Sequence, residues 1–169
     1  MAPLTAYLDT CIVSGIAKQD LKPEQQKAMS EILKNRKEGK VFIVTSRIAK
    51  DEIEKIPEQY RGSHESIYYL IADVPVARTV TIYPGGSMGL GMGLSLGAST
   101  PVPDPIYIAL KNLLRDEKDA EHIFQASKNN IQYFITTDER TILSYSDKIV
   151  KISNVKVISP IEFNEIFHQ

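Results

Sequence analysis

Short apolar strands alternating with helices along most of the chain predict an α/β fold, a parallel sheet covered by helices on both faces. Two further observations support that class. Residues 41–45 (VFIVT) form a continuous apolar run of the kind that helices cover on both faces, and no internal repeat or linker divides the chain. One domain over residues 1–169 is expected, since this length suffices for one well-buried core and is short for two.

The first strand is Thr5–Leu8, followed at once by Asp9. A helix is expected from Pro23, whose fixed φ suits a first helical position, to about Glu38, with Gly39 as the stop. Residues 41–45 (VFIVT) are a continuous apolar run, as for a strand covered on both faces. Ser46 can cap the next helix, which carries Ile48, Glu52, Ile53 and Ile56 and closes at Pro57. Ser63–Ala72 places Ile67, Leu70 and Ile71 on one helical face. A strand at 79–83 (TVTIY) precedes an irregular stretch from Pro84 to Pro105.

Helices return at Ile106–Leu114 and Asp119–Asn129, leading into a strand at 132–137 (QYFITT). After Asp138 a short helix is expected over 139–145 (ERTILSY), then a strand at 155–159 (VKVIS). Ser159, Pro160 and Glu162 open the last helix as cap, first residue and third residue.

Hydrophobic residues make up 43% and charged residues 24%, an ordinary globular balance. Cys11 is the one cysteine, so no internal disulfide forms and a reducing compartment suits the chain. No basic segment precedes the first apolar run, and no apolar stretch reaches about eighteen residues. Neither a secretory leader nor a membrane contact is expected, and the cytoplasm is the expected location. The formal net charge is −1. Proteins that grip nucleic acid by charge alone are strongly basic, so any such contact here is local, transient or assisted by bound cations.

In a parallel α/β fold, strand C-termini and helix N-termini share one edge, and ligands bind there where strand order reverses. Asp9 and Asp138 directly follow strands, Glu52 lies in the second turn of its helix, and Asp119 begins the helix leading into 132–137. All four are expected at that edge. Crowded carboxylates repel one another unless a cation neutralises them, and magnesium suits hard oxygen ligands. Two such ions about 3.5–4 Å apart can activate water and stabilise the leaving oxygen of a phosphodiester.

Each acid alone has a plainer interpretation. Asp9 and Asp138 can cap turns or helices, and Glu52 can be a solvated neighbour of Asp51 and Glu54. Asp119 can belong to a solvated acidic helix start with Asp116 and Glu117. Their joint placement is what favours a metal site.

Residues 7–16 (YLDTCIVSGI), 45–57 (TSRIAKDEIEKIP) and 118–142 (KDAEHIFQASKNNIQYFITTDERTI) resemble the PIN-domain ribonucleases, including bacterial VapC-like toxins. The resemblance spans nearly the whole chain apart from the 84–105 insert. It implies a three-layer α/β/α sandwich with a central parallel sheet. It also implies an endoribonuclease dependent on Mg2+ or Mn2+, with Asp9, Glu52, Asp119 and Asp138 as both metal ligands and catalytic acids. RNA is the implied substrate, and an antitoxin protein the implied partner should the chain be a toxin. In the family, hydroxyls such as those of Thr10 and Thr137 hold metal-bound water, although local turns account for them equally well. His122 shares a helical face with Asp119 and is expected to be packed or hydrogen-bonded rather than a ligand. Arg47 and Arg140 are candidates for phosphate contact.

The insert has no charged residue from Thr79 to Pro103, and Leu90, Met92, Leu94 and Leu96 alternate with Gly or Ser. It satisfies neither phosphate-loop pattern. A surface loop is the plain expectation, and an apolar edge strand serving a homo-oligomer or a partner protein the sharper one. Two other enzyme classes fit poorly. An aspartyl-nucleophile phosphatase needs a second aspartate where Cys11 stands, and a phospho-accepting receiver needs an acidic pair and a lysine after the last strand, where Ser159 and Pro160 follow instead. A non-catalytic PIN-fold scaffold that binds RNA or protein is the alternative to an enzyme.

Overall fold

β1 (Leu4–Leu8) passes through Asp9 directly into α1 (Thr10–Lys18). The computed structural model describes residues 3–71, 82 and 103–168. The other elements are α2 (Pro23–Lys37), β2 (Val41–Val44), α3 (Arg47–Glu54), α4 (Glu58–Ile71), α5 (Pro105–Leu113), α6 (Glu117–Lys128), β3 (Tyr133–Ile135), α7 (Ser146–Ser153), β4 (Lys156–Ile158) and α8 (Pro160–Glu165).

The four strands form one all-parallel sheet in the order β2-β1-β3-β4. Side chains alternate across it, as the two-residue period of a strand requires. Ala6, Leu8, Ile43, Ile135 and Ile158 face a core shared with α1, α2, α3, α4 and α8. Tyr7, Phe134 and Val157 face a second core shared with α5, α6 and α7. Helices therefore flank both faces, and the α/β class expected from the alternation is what the described residues form.

Several elements differ from expectation. α1 is a helix beyond those expected from sequence, and its Ile12 and Val13 are β-branched residues of lower helix propensity. Burial against the sheet overrides that weak bias. Within α1, Gly15 lies so close to the Leu21 side chain that a Cβ would collide with it. α4 begins at Glu58, five residues earlier than expected. The segment 139–145 is not a helix: turns lead to a short 3-10 turn at Leu143–Tyr145, and the helix is α7 beyond it. Among the described residues β2 is covered only in part on its second face, where Phe42 is 49% exposed while Val44 packs against the second core. The strand expected at 79–83 lies outside the described residues except for Ile82, as does the insert up to residue 102. Among the described residues, no helix is long and apolar enough to cross a membrane.

Candidate active site

The chain crosses from β1 to β2 on one side of β1 and returns to β3 on the other. Strand order therefore reverses between β1 and β3, which is where open α/β sheets place ligands. Leu8 and Ile135 are partners in register, so Asp9 and Thr136 are the first residues past the paired strand ends.

Asp9 is 6% exposed and sits at the N-cap position of α1, yet its side chain makes no capping bond. Its Oδ2 instead accepts from Thr136 Oγ1 at 2.6 Å and from Cys11 Sγ at 3.0 Å. The plain capping role is therefore not the one it plays. Thr136 is fully buried, and its hydroxyl also accepts from the Asp138 backbone N–H at 3.1 Å. One hydroxyl thus ties the residue after β1 to the loop after β3. Burial, and next the charge of Asp9, push the Cys11 thiol up to about 12, so it stays a proton donor.

Asp138 does act locally. Its Oδ1 accepts from the backbone N–H groups of Arg140 at 2.9 Å and Thr141 at 2.8 Å. Its Oδ2 accepts from Thr141 Oγ1 at 2.5 Å, and the same hydroxyl lies 3.3 Å from Asp119 Oδ2. Burial would raise the Asp138 pKa, but the Thr141 and Arg140 donors outweigh it and hold it below its usual value.

Asp119 does not begin its helix as expected. Asp116 is the N-cap of α6 and accepts from Lys118 N, while Asp119 lies in the first turn, half-buried. Burial, followed by the charges of Asp9, Asp116 and Asp138, pushes the Asp119 carboxyl up to about 7. Asp9, Asp119 and Asp138 therefore share one electrostatic field.

Glu52 stands at the border of that field. Of the three acids on α3 it alone is partly buried, whereas Asp51 and Glu54 are exposed beside Arg47 and Lys50. Its Oε2 accepts from Thr10 Oγ1 at 2.6 Å and from His122 Nε2 at 3.1 Å. Burial alone would raise the Glu52 pKa; His122 and Thr10 reverse that and lower it. Burial likewise would lower the His122 pKa, and Glu52, with Asp9 and Asp119 behind it, raises it.

Among the described residues, no group of three or more His, Cys, Asp and Glu is gathered at metal-ligand geometry. The donor chemistry nevertheless fits a hard divalent cation: three carboxylates at one edge, the Thr141 hydroxyl between those of Asp119 and Asp138, and a proton affinity at Asp119 raised by burial and by the charges of the others. Thr10 holds Glu52, and Thr137 Oγ1 lies 3.3 Å from Cys11 Sγ. Arg47 is exposed and 3.9 Å from Asp51, and Arg140 is exposed.

Thr136 and Thr141 were not singled out from sequence. Thr136 is the first residue past the end of β3, and the doubled threonine before Asp138 is the only signal that pointed near it. The fold and edge define a parallel α/β protein with an acidic cluster at the switch between its central strands. Compared with known proteins, the chain matches no family model, no curated protein and no solved structure.

Proposed function

We propose that this chain is a metal-dependent endoribonuclease of the PIN class, hydrolysing RNA phosphodiester bonds at Asp9, Glu52, Asp119 and Asp138. The observation that carries the proposal is the linkage at the β1/β3 switch, where Thr136 ties the Asp9 carboxylate to the Asp138 backbone N–H and the Thr141 hydroxyl lies between the Asp138 and Asp119 carboxylates. A bound Mg2+ or Mn2+ would supply Lewis-acid polarisation of the phosphodiester and activation of water. Asp9, Asp119 and Asp138 would hold it, with Glu52 completing the set from α3. Thr136 orients the Asp9 carboxylate, and Thr141 holds the Asp138 carboxylate toward Asp119.

The alternative is a scaffold that binds RNA or protein without cutting. The deciding experiment incubates purified protein with a diverse RNA pool and Mg2+ or Mn2+. The nuclease reading expects cleavage that chelator abolishes and that Asp9→Asn or Asp119→Asn reduces by at least about a hundredfold, the scale of loss when one transition-state stabilising group is removed. No cleavage leaves the scaffold, and equal cleavage by the substituted proteins points to a contaminant. If the activity makes the chain a toxin, an antitoxin protein is the partner to seek, and expression should arrest growth for wild type but not for Asp9→Asn.

A further inference from the structure

We propose that His122 is a positioning residue: held between Tyr7 and Glu52, its imidazole fixes the Glu52 carboxylate for a bound divalent cation. The identity of that ligand rests on the nuclease reading above; the clamp itself stands on geometry.

The imidazole is 2% exposed and sits on α6, whose Ala120, Ile123 and Phe124 are fully buried on either side of it in sequence. Its Nε2 meets Glu52 Oε2 at 3.1 Å and its Nδ1 meets Tyr7 Oη at 2.5 Å. Tyr7 is itself immobilised. It belongs to a central strand, is fully buried, and stacks on Phe134 with centroids 5.2 Å apart. The Tyr7 hydroxyl donates to Ser46 Oγ, which also caps α3 by accepting from Ile48 N at 3.1 Å.

The chain of bonds therefore leaves α3 at its cap, crosses β1 and α6, and returns to α3 in its second turn. Such a loop sets both where α3 lies against the sheet and which way Glu52 turns. A glutamate on a helix surface otherwise samples many rotamers, and ordering it costs entropy. Both bonds to Glu52 fall on Oε2, which leaves Oε1 as the oxygen for a ligand. Groups that orient a metal-binding carboxylate from behind control affinity by about 10–100-fold.

The test compares wild type, Tyr7→Phe, His122→Gln and His122→Ala, using Mn2+ alone as the probe and the EPR signal of free Mn2+ as the readout. Melting curves and RNA cleavage are recorded in parallel. His122→Ala should bind Mn2+ about 10–100-fold more weakly. His122→Gln keeps an N–H donor for Glu52 and should recover most of that affinity. Tyr7→Phe keeps the stacked ring, loses only the hydroxyl, and should fall between them. In cleavage at limiting Mn2+, kcat/KM for RNA should drop in the same order, and saturating Mn2+ should restore it.

A merely structural histidine would lower the melting temperature and leave the Mn2+ affinity of the folded protein unchanged, which overturns the proposal. Should His122→Ala fail to fold, unchanged Mn2+ affinity in Tyr7→Phe overturns it equally. Wild type that binds Mn2+ in a His122-dependent way yet cuts no RNA upholds the clamp and removes the nuclease. Wild type that binds no Mn2+ removes both.

Discussion

Thr136 donates its hydroxyl to Asp9 Oδ2 across 2.6 Å, although 127 positions of sequence separate the two residues. The parallel register of β1 and β3 makes this meeting unavoidable, because Leu8 pairs with Ile135 and each strand continues by one residue. The same oxygen of Thr136 accepts from Asp138 N, so a single buried atom joins two of the acids.

Replacing Thr136 by valine keeps the shape and removes both bonds. The buried Asp9 carboxylate and the Asp138 N–H each lose a partner. A stability loss of about 1–3 kcal/mol is expected, measurable by urea unfolding. Thr136→Ser should retain most of the stability, and cleavage should follow the same order.

Asp138 combines a turn-capping carboxylate with a negative charge, and the two are separable. Asp138→Asn keeps an oxygen able to accept from Arg140 N and Thr141 N, so the melting temperature should change little. Asp138→Ala removes that acceptor and should cost about 1 kcal/mol. RNA cleavage should collapse in both. If Asp138→Asn cuts as well as wild type, the charge has no role in the reaction.

The metal-free protein should lose stability as pH rises toward 7 and beyond. Asp119 titrates near 7 in the fold against an ordinary 3.8, because burial and the charges of Asp9, Asp116 and Asp138 oppose its ionisation. A group whose folded pKa is raised contributes stability that is complete below its unfolded pKa and is lost as pH passes through the folded value. In chelator, wild type should therefore melt higher at pH 5 than at pH 8. Asp119→Asn, which cannot ionise, should narrow that gap, and an unchanged gap in scanning calorimetry would count against the shared field.

RNA binding should depend on divalent cation more than on salt. With a formal charge of −1, the chain offers little counterion release on its own. Filter binding with catalytically silent Asp9→Asn should show weaker retention than wild type, and chelator should weaken wild type. A steep salt dependence that chelator leaves untouched would point to a basic surface instead.

Ser159 provides a control far from the chemistry. Its hydroxyl accepts from Glu162 N at 3.2 Å while Glu162 Oε2 accepts from Ser159 N at 2.7 Å, a reciprocal cap on α8. Ser159→Ala should cost about 1 kcal/mol in unfolding and leave cleavage per folded molecule unchanged.

The sequence by itself determined the alternation of strands and helices, the caps at Ser46 and Ser159, and the position of Asp9 and Asp138 just past strand ends. Those features are local: a hydroxyl before a helix, a periodic apolar face, an acid at a strand end. Only the tertiary structure decided that Asp9 is spared from capping, that Thr136 and Thr141 bridge the aspartates, and that Glu52 is held by His122 and Thr10. It also decided the helices at Thr10–Lys18 and Ser146–Ser153, where packing against the sheet outweighs propensity. The division has one physical cause. A cap or a period is written in neighbouring residues, whereas a bond between β1 and the loop after β3 depends on strand register, which is set by the packing of both cores at once.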